Sequence, residues 1–185
     1  METPLKTLAQ HMSSYARYHR DPRNIATHFV GIPMIVLAVT ILLSRPQWAW
    51  GGLLLSPAWL VVALVSVFYL RLHVGLGAVL AALLVGCALL GQALASGPTA
   101  HWLSWGLGLF VVGWVFQFVG HVYEGRKPAF VDDLMGLLQG PLFVLVEALF
   151  ALGQLASLRQ TVEADAGPVR RNPHGAAEAV PTAQP

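Results

Sequence analysis

Residues 18–43 read YHRDPRNIATHFVGIPMIVLAVTILL, and the fold turns on the change of character inside this stretch. Asp21 followed by Pro22 is a helix N-cap with proline at the first helical position, where its missing N–H costs nothing. From Ile25 to Leu43 the run is apolar and long enough to cross a bilayer, which needs about 20 residues of helix. The segment before it follows another pattern: Leu5, Leu8, Met12, Tyr15 and His19 recur at steps of three and four behind a Thr3–Pro4 cap. The expectation is an amphipathic helix on the membrane surface that ends in His19, then a first span. Because Met1 to Asn24 is polar and the apolar run is followed by others, that run reads as a retained span rather than a signal peptide.

Composition agrees. Of 185 residues 56% are hydrophobic and 11% charged, and the mean hydropathy is +0.62, which a water-soluble domain of this length does not show. A net charge of +2 with basic residues in short loops suits anionic headgroups, and no basic patch interleaved with aromatics suggests nucleic acid. Cys87 is the only cysteine, so an intrachain disulfide is excluded, and its apolar setting reads as a small core residue.

Outward from the first span, Arg45 to Gly52 reads as a turn anchored at the interface by Trp48 and Trp50, and Leu53 to Leu70 as span two despite Pro57. Arg71 to His73 makes a tight hairpin. Val74 to Ala95 is span three, rich in Gly and Ala for close helix packing, and Trp102 to Val119 is span four. Lys6, Arg17, Arg20, Arg23, Arg71, Arg126 and Lys127 then share one side against Arg45 alone. Positive charge places that side, and the amino terminus, in the cytoplasm: at the inner membrane of a bacterium or the endoplasmic reticulum of a eukaryote. A fifth apolar run, Pro141 to Leu158, carries Glu147 and is read as an interfacial or re-entrant helix.

The predicted fold is all-α: a polytopic membrane helical bundle of four transmembrane helices, an N-terminal amphipathic helix and a C-terminal interfacial or re-entrant helix. Residues 1–158 form one membrane-embedded domain. Residues 159–185, rich in Ala, Pro, Gly, Glu and Arg without periodicity, are expected to be a disordered tail in which His174 is merely solvated.

This threading brings His19, His28, His73 and His121 to one rim. Asp21, Asn24 and His28 share a helix face, as do Gln117, His121 and Glu124, so the histidines come with polar neighbours that could be ligands or orient them. A single histidine at a helix end is ordinarily an interfacial hydrogen-bonding residue, but four converging ones point to a metal, and imidazole suits Fe, Zn, Cu and Ni. His11 lies off the stripe and His101 at the other face. Glu147 reads as a charge partner for a basic residue on the inner face, a distal ligand or a snorkelling interfacial group. Gly31 and Pro33 would loosen the first span just beyond His28. No nucleophile arrangement or phosphate-binding loop is evident.

The segments YHRDPRNIATHFVGIP (18–33) and QFVGHVYEGRKPA (117–129), followed by Gly140, Pro141 and Glu147, resemble the 2-hydroxy-fatty-acid dioxygenase family of small membrane proteins, over most of residues 12–152. The resemblance implies that His19, His28 and His121 bind Fe²⁺, with Glu124 as a ligand or a nearby base. His73 joins the metal set by the threading alone. The implied reaction is cleavage of a long-chain 2-hydroxy fatty acid by O₂ between C1 and C2, leaving an acid one carbon shorter. Arg20, Arg23, Asn24, Arg126 and Lys127 are then the candidates for binding the substrate's head. A non-enzymatic membrane protein, a carrier or assembly factor with structural or haem-binding histidines, is the alternative; a di-metal hydroxylase would need more histidines in short-spaced pairs.

Overall fold

The computed structural model describes residues 6–170. Among these, α1 covers Leu8–Ala16, α2 Pro22–Leu43, α3 Pro57–Leu72, α4 Val74–Ala95, α5 Thr99–Glu124, α6 Gly136–Ala151 and α7 Ala156–Ala166. A short hairpin, β1 (Trp48–Trp50) and β2 (Leu53–Leu55), joins α2 to α3, and a single 3₁₀ turn, Ala129–Val131, precedes α6. The all-α expectation holds in outline.

The first helix starts later than expected. Thr7 caps α1 in a reciprocal box with Gln10, Thr7 N donating to Gln10 Oε1 at 2.8 Å and Gln10 N to Thr7 Oγ1 at 3.3 Å. The expected Thr3–Pro4 cap lies outside the described residues. The helix also ends before His19, because Tyr18 and His19 turn back on the carbonyls of Tyr15 and Ala16 and Asp21 must be extended ahead of Pro22. Rather than lying alone, α1 packs Met12, Tyr15 and Ala16 against α6 and α7. Asp21 caps α2 as anticipated, its Oδ1 accepting from Arg23 N at 2.8 Å.

The spine of the structure is the antiparallel pair α2 and α5, whose backbones approach closely where side chains are absent. A Cβ on Gly113 would lie 2.7 Å from Ile35 Cγ1, and one on Gly120 would collide with Thr27 and Asn24. The α3–α4 hairpin lies alongside, tied at its far end by Arg45, whose guanidinium donates to Ala95 O at 2.8 Å, Gly97 O at 2.6 Å and Thr99 Oγ1 at 3.0 Å.

Three helices are long and apolar enough to cross a membrane: α2 and α4 with 22 residues each and α5 with 26. The expected second span is shorter than predicted, because Leu53–Leu55 pairs with Trp48–Trp50 instead of starting the helix. Gly51 and Gly52 supply the two positive φ angles, +54° and +83°, that a two-residue hairpin turn requires. The remaining α3 is a shorter apolar helix of 16 residues. Leu64 on α3 and Leu83 on α4 are 63% and 59% exposed, and such outward apolar faces suit contact with lipid.

The expected helix over Pro141–Leu158 is broken. Gly153 (φ +74°) and Leu155 (φ +54°) end α6 and turn α7 through 115°. Disorder from residue 159 does not hold as far as residue 170. Here α7 docks on α1, with Arg17 Nη2 2.7 Å from Asp165 Oδ1, and Arg170 N donates to Arg20 O at 2.9 Å, so long-range pairing adds to the burial of Val162 in the core. The remainder of that expected tail, with His174, lies outside the described residues.

Candidate metal centre

Three elements each deliver one histidine. His19 hangs from the loop between α1 and α2, stacked on Tyr15 with ring centroids 4.1 Å apart. His28 projects from the second turn of α2. His121 comes from the last turn of α5, just before Gly125 ends that helix in the left-handed conformation (φ +69°). All three are buried, with ring centroids 4.4 to 5.1 Å apart, and a ligand nitrogen from each lies within 4.8 Å of the others.

The hydrogen bonds fix which nitrogens face inward. His19 Nδ1 is 2.8 Å from Tyr15 O, and His28 Nδ1 is 2.9 Å from Asn24 O, in each case the carbonyl four residues earlier. A carbonyl can only accept, so each Nδ1 carries the proton and each Nε2 presents a lone pair. Those two Nε2 atoms face each other at 3.0 Å. His121 adds a buried Nδ1 with no hydrogen-bond partner in the protein. Burial, reinforced by the adjacent His28 imidazole, holds His19 well below its ordinary pKa, so it is neutral at physiological pH. Neutral imidazoles with converging lone pairs, oriented from behind by carbonyls, fit a divalent transition-metal ion.

Glu124 is not among the converging donors. Its Oε2 accepts from Arg20 N at 3.0 Å, Asp21 N at 2.8 Å and Asn24 Nδ2 at 3.1 Å, while Oε1 lies 3.2 Å from Arg170 Nη2. A carboxylate fully inside the protein thus pins the histidine-bearing loop to α5, at the positive end of α2. Asp21, held below the usual carboxylate range chiefly by its hydrogen bond from Arg23, caps the same helix end.

The other expected site residues are elsewhere engaged. His73 is exposed at the start of α4, where its Nδ1 accepts from Leu76 N at 3.2 Å. It serves as a helix cap and stands outside the three-histidine group, because the threading fixed its depth but not its position around the bundle. Arg20 is buried and donates to His19 O, to Gly167 O and, at 3.4 Å, to Glu147 Oε1. Glu147 is therefore a charge partner, the first of its expected readings. Asn24 is buried between Tyr18 O and Glu124. Arg23 pairs with Asp21 and covers the Tyr123 ring, while Arg126 and Lys127 are exposed, the latter paired with Asp132. His11 is outside the cluster but buried against Gln139.

A cavity of about 70 Å³ opens beside the cluster, lined by His28, His121, Gln117 and Trp114 and by apolar side chains of α2 and α6, among them Ile32 and Leu137. No charged side chain lines it. The sequence reading grouped Gln117 with His121 but missed Trp114, which the same period of three and four would have found, and missed Gly167 and Arg170, for which composition gave no signal.

A family description, "2-hydroxy-palmitic acid dioxygenase Mpo1-like", matches residues 5–152. The chain is 34% identical over 170 residues to a protein of Saccharomyces cerevisiae named 2-hydroxy-palmitic acid dioxygenase MPO1, covering 91% of this chain and 94% of that one. No solved structure matches.

Proposed function

This chain belongs to the Mpo1-like family, and on that premise we propose that it is an Fe²⁺-dependent dioxygenase that cleaves long-chain 2-hydroxy fatty acids between C1 and C2. The observation that carries the reading is the pair of lone pairs facing each other on His19 and His28 beside His121, at the mouth of an apolar cavity. His19, His28 and His121 hold the metal, and all three donors are neutral nitrogen. Among metals suited to imidazole, the proposed O₂ chemistry selects a redox-active one, and Fe²⁺ is the choice.

The stoichiometry closes without a further reductant. A 2-hydroxy acid, R–CH(OH)–COOH, and O₂ give R–COOH, CO₂ and H₂O: the C1–C2 bond breaks and the four electrons released reduce O₂. Bound Fe²⁺ supplies a Lewis-acidic, redox-active centre where the acid's head and O₂ meet. The carbonyls of Tyr15 and Asn24 hold the His19 and His28 rings in one tautomer. Tyr15, stacked on His19, shields one side of the cluster from water. Glu124 acts as a positioning residue for the His19 loop, not as a base. The acyl chain runs from the histidines along the apolar walls of α2, α5 and α6 towards lipid.

In the membrane, α2, α3, α4 and α5 form four spans with the amino terminus and histidine cluster at the cytoplasmic rim, and α6 and α7 form a bent cap over that rim. At about 24 Å, α3 is shorter than the roughly 30 Å hydrocarbon core, and the tryptophan hairpin makes up the difference at the opposite interface.

The test is to purify the protein in detergent, measure its bound metals and incubate it in air with 2-hydroxypalmitic acid, with and without a chelator. Iron near one per chain and chelator-sensitive formation of the acid one carbon shorter support the proposal. Iron without turnover sinks the substrate assignment, and absence of any metal favours a non-enzymatic role for the histidines.

A further inference from the structure

Among the described residues, few buried side-chain nitrogens or oxygens lack a hydrogen-bond partner in the protein, and three of them, Trp114 Nε1, Gln117 Nε2 and His121 Nδ1, belong to residues that line the cavity beside the histidines. Their spacing of three and four puts them on a single face of α5. His121 belongs to the cluster already described. Gln117 does not, yet the residue is buried, with a relative exposure of 5%.

Two helices fix its place independently. On α5 it lies four residues before His121, about 6 Å along the axis. On the antiparallel α2 it meets Gly31, three residues beyond His28: a Cβ on Gly31 would collide with Gln117 Nε2 and with the backbone of Gly113. Glycine at this point of α2 leaves the space the amide fills. The amide therefore sits one turn past the histidines, on the side from which the cavity continues between apolar walls.

That is where the first carbons of a chain-like acid would lie with its head at the cluster. The cations expected there are engaged elsewhere: Arg20 in its buried network, Arg23 on Asp21, Arg126 on the carbonyl of Arg17 and Lys127 on Asp132, and the cavity itself has no charged lining. We infer that Gln117 is a substrate-reading residue whose Nε2–H donates to an oxygen on C1 or C2 of the bound fatty acid. The inference rests on the 2-hydroxy acid assignment above. It assigns recognition of the head to a neutral amide in place of an arginine. A buried donor fixed in position rejects ligands that leave it unpaired, so the amide makes the site selective for an oxygenated head rather than for apolar length.

The experiment uses full-length protein in lipid nanodiscs, loaded with Fe²⁺ without oxygen so that binding is read in the absence of turnover. Equilibrium binding of radiolabelled 2-hydroxypalmitic acid and palmitic acid is compared for wild type, Gln117→Met and Gln117→Glu, with iron measured on the same samples. Both variants should keep iron and bind the 2-hydroxy acid about 10- to 100-fold more weakly. A loss confined to the 2-hydroxy acid assigns the amide to the C2 oxygen, and an equal loss for both acids assigns it to the carboxylate. Unchanged affinities with iron retained overturn the inference. Should a variant fail to fold, zinc-loaded wild type labelled with ¹⁵N-glutamine gives a second readout: the Gln117 side-chain resonances must move on adding the 2-hydroxy acid, and their standing still also overturns it. If wild type binds neither acid, the underlying substrate assignment fails, and the wild-type arm alone reveals that.

Discussion

His19 Nε2 and His28 Nε2 stand 3.0 Å apart, with both Nδ1 protons already given to backbone carbonyls. No hydrogen bond can join them in that tautomeric state, so the contact is repulsive until a cation or a proton is shared. The fold holds the two rings there because each is anchored on a rigid element: the carbonyl of Tyr15 at the end of α1 and that of Asn24 inside α2.

Metal should therefore stabilise the protein. Iron or zinc at about 100 times its dissociation constant should add about 2.7 kcal/mol, read as a rise in melting temperature that a chelator reverses. His28→Ala or His121→Ala should abolish the rise and lower bound metal at least tenfold. Either variant keeping wild-type metal would remove that residue from the set.

Glu124 separates a ligand from a positioning role. Glu124→Gln keeps an oxygen for the Arg20 and Asp21 amides and should retain metal, whereas Glu124→Ala strands three buried donors and should cost about 3 kcal/mol or more. Thermal unfolding and metal analysis on the pair decide it. Loss of metal in the folded glutamine variant would make Glu124 a ligand.

His73→Ala should leave metal content and turnover as in wild type and lower stability by about 0.5–2 kcal/mol, the loss of a helix cap. A fall in bound metal would return His73 to the site.

Gly120→Ala puts a methyl group against Thr27 and Asn24. It should cost about 1–3 kcal/mol by forcing α2 from α5, and it should weaken metal binding too, since Asn24 O orients His28. Melting curves and metal titration of the variant check both effects, and unchanged metal affinity would show that Asn24 is free to move.

The site was legible in the sequence as far as helix period and end signals reach. Asp21–Pro22 fixed the start of α2, and the intervals to His28 and back from Glu124 to His121 and Gln117 named the faces. His73 was misplaced because depth in a membrane says nothing of which way a helix end faces. The hairpin escaped notice because Leu53–Leu55 reads equally as the start of a span. The fold of residues 159–170 was hidden because Asp165, Gly167 and Arg170 are held by partners far away in the chain, Arg17, Arg20 and Glu124, which no local composition reveals.

Those distant partners have a consequence for biogenesis. His28 and His121 sit on helices that are complete once α5 has been made, but the loop bearing His19 is fastened by Gly167 and Arg170, among the last residues described. In a chain emerging from the ribosome Glu124 can fasten that loop as soon as α5 is made, but the contacts of Gly167 and Arg170 come later, and on the proposed function metal loading should be complete only after they form. Arg170→Ala should accordingly insert normally yet acquire metal more slowly, and a wild-type loading rate would refute this order of events. On the proposed function, such an order would keep a half-ligated redox ion from meeting lipid and oxygen before the site is closed.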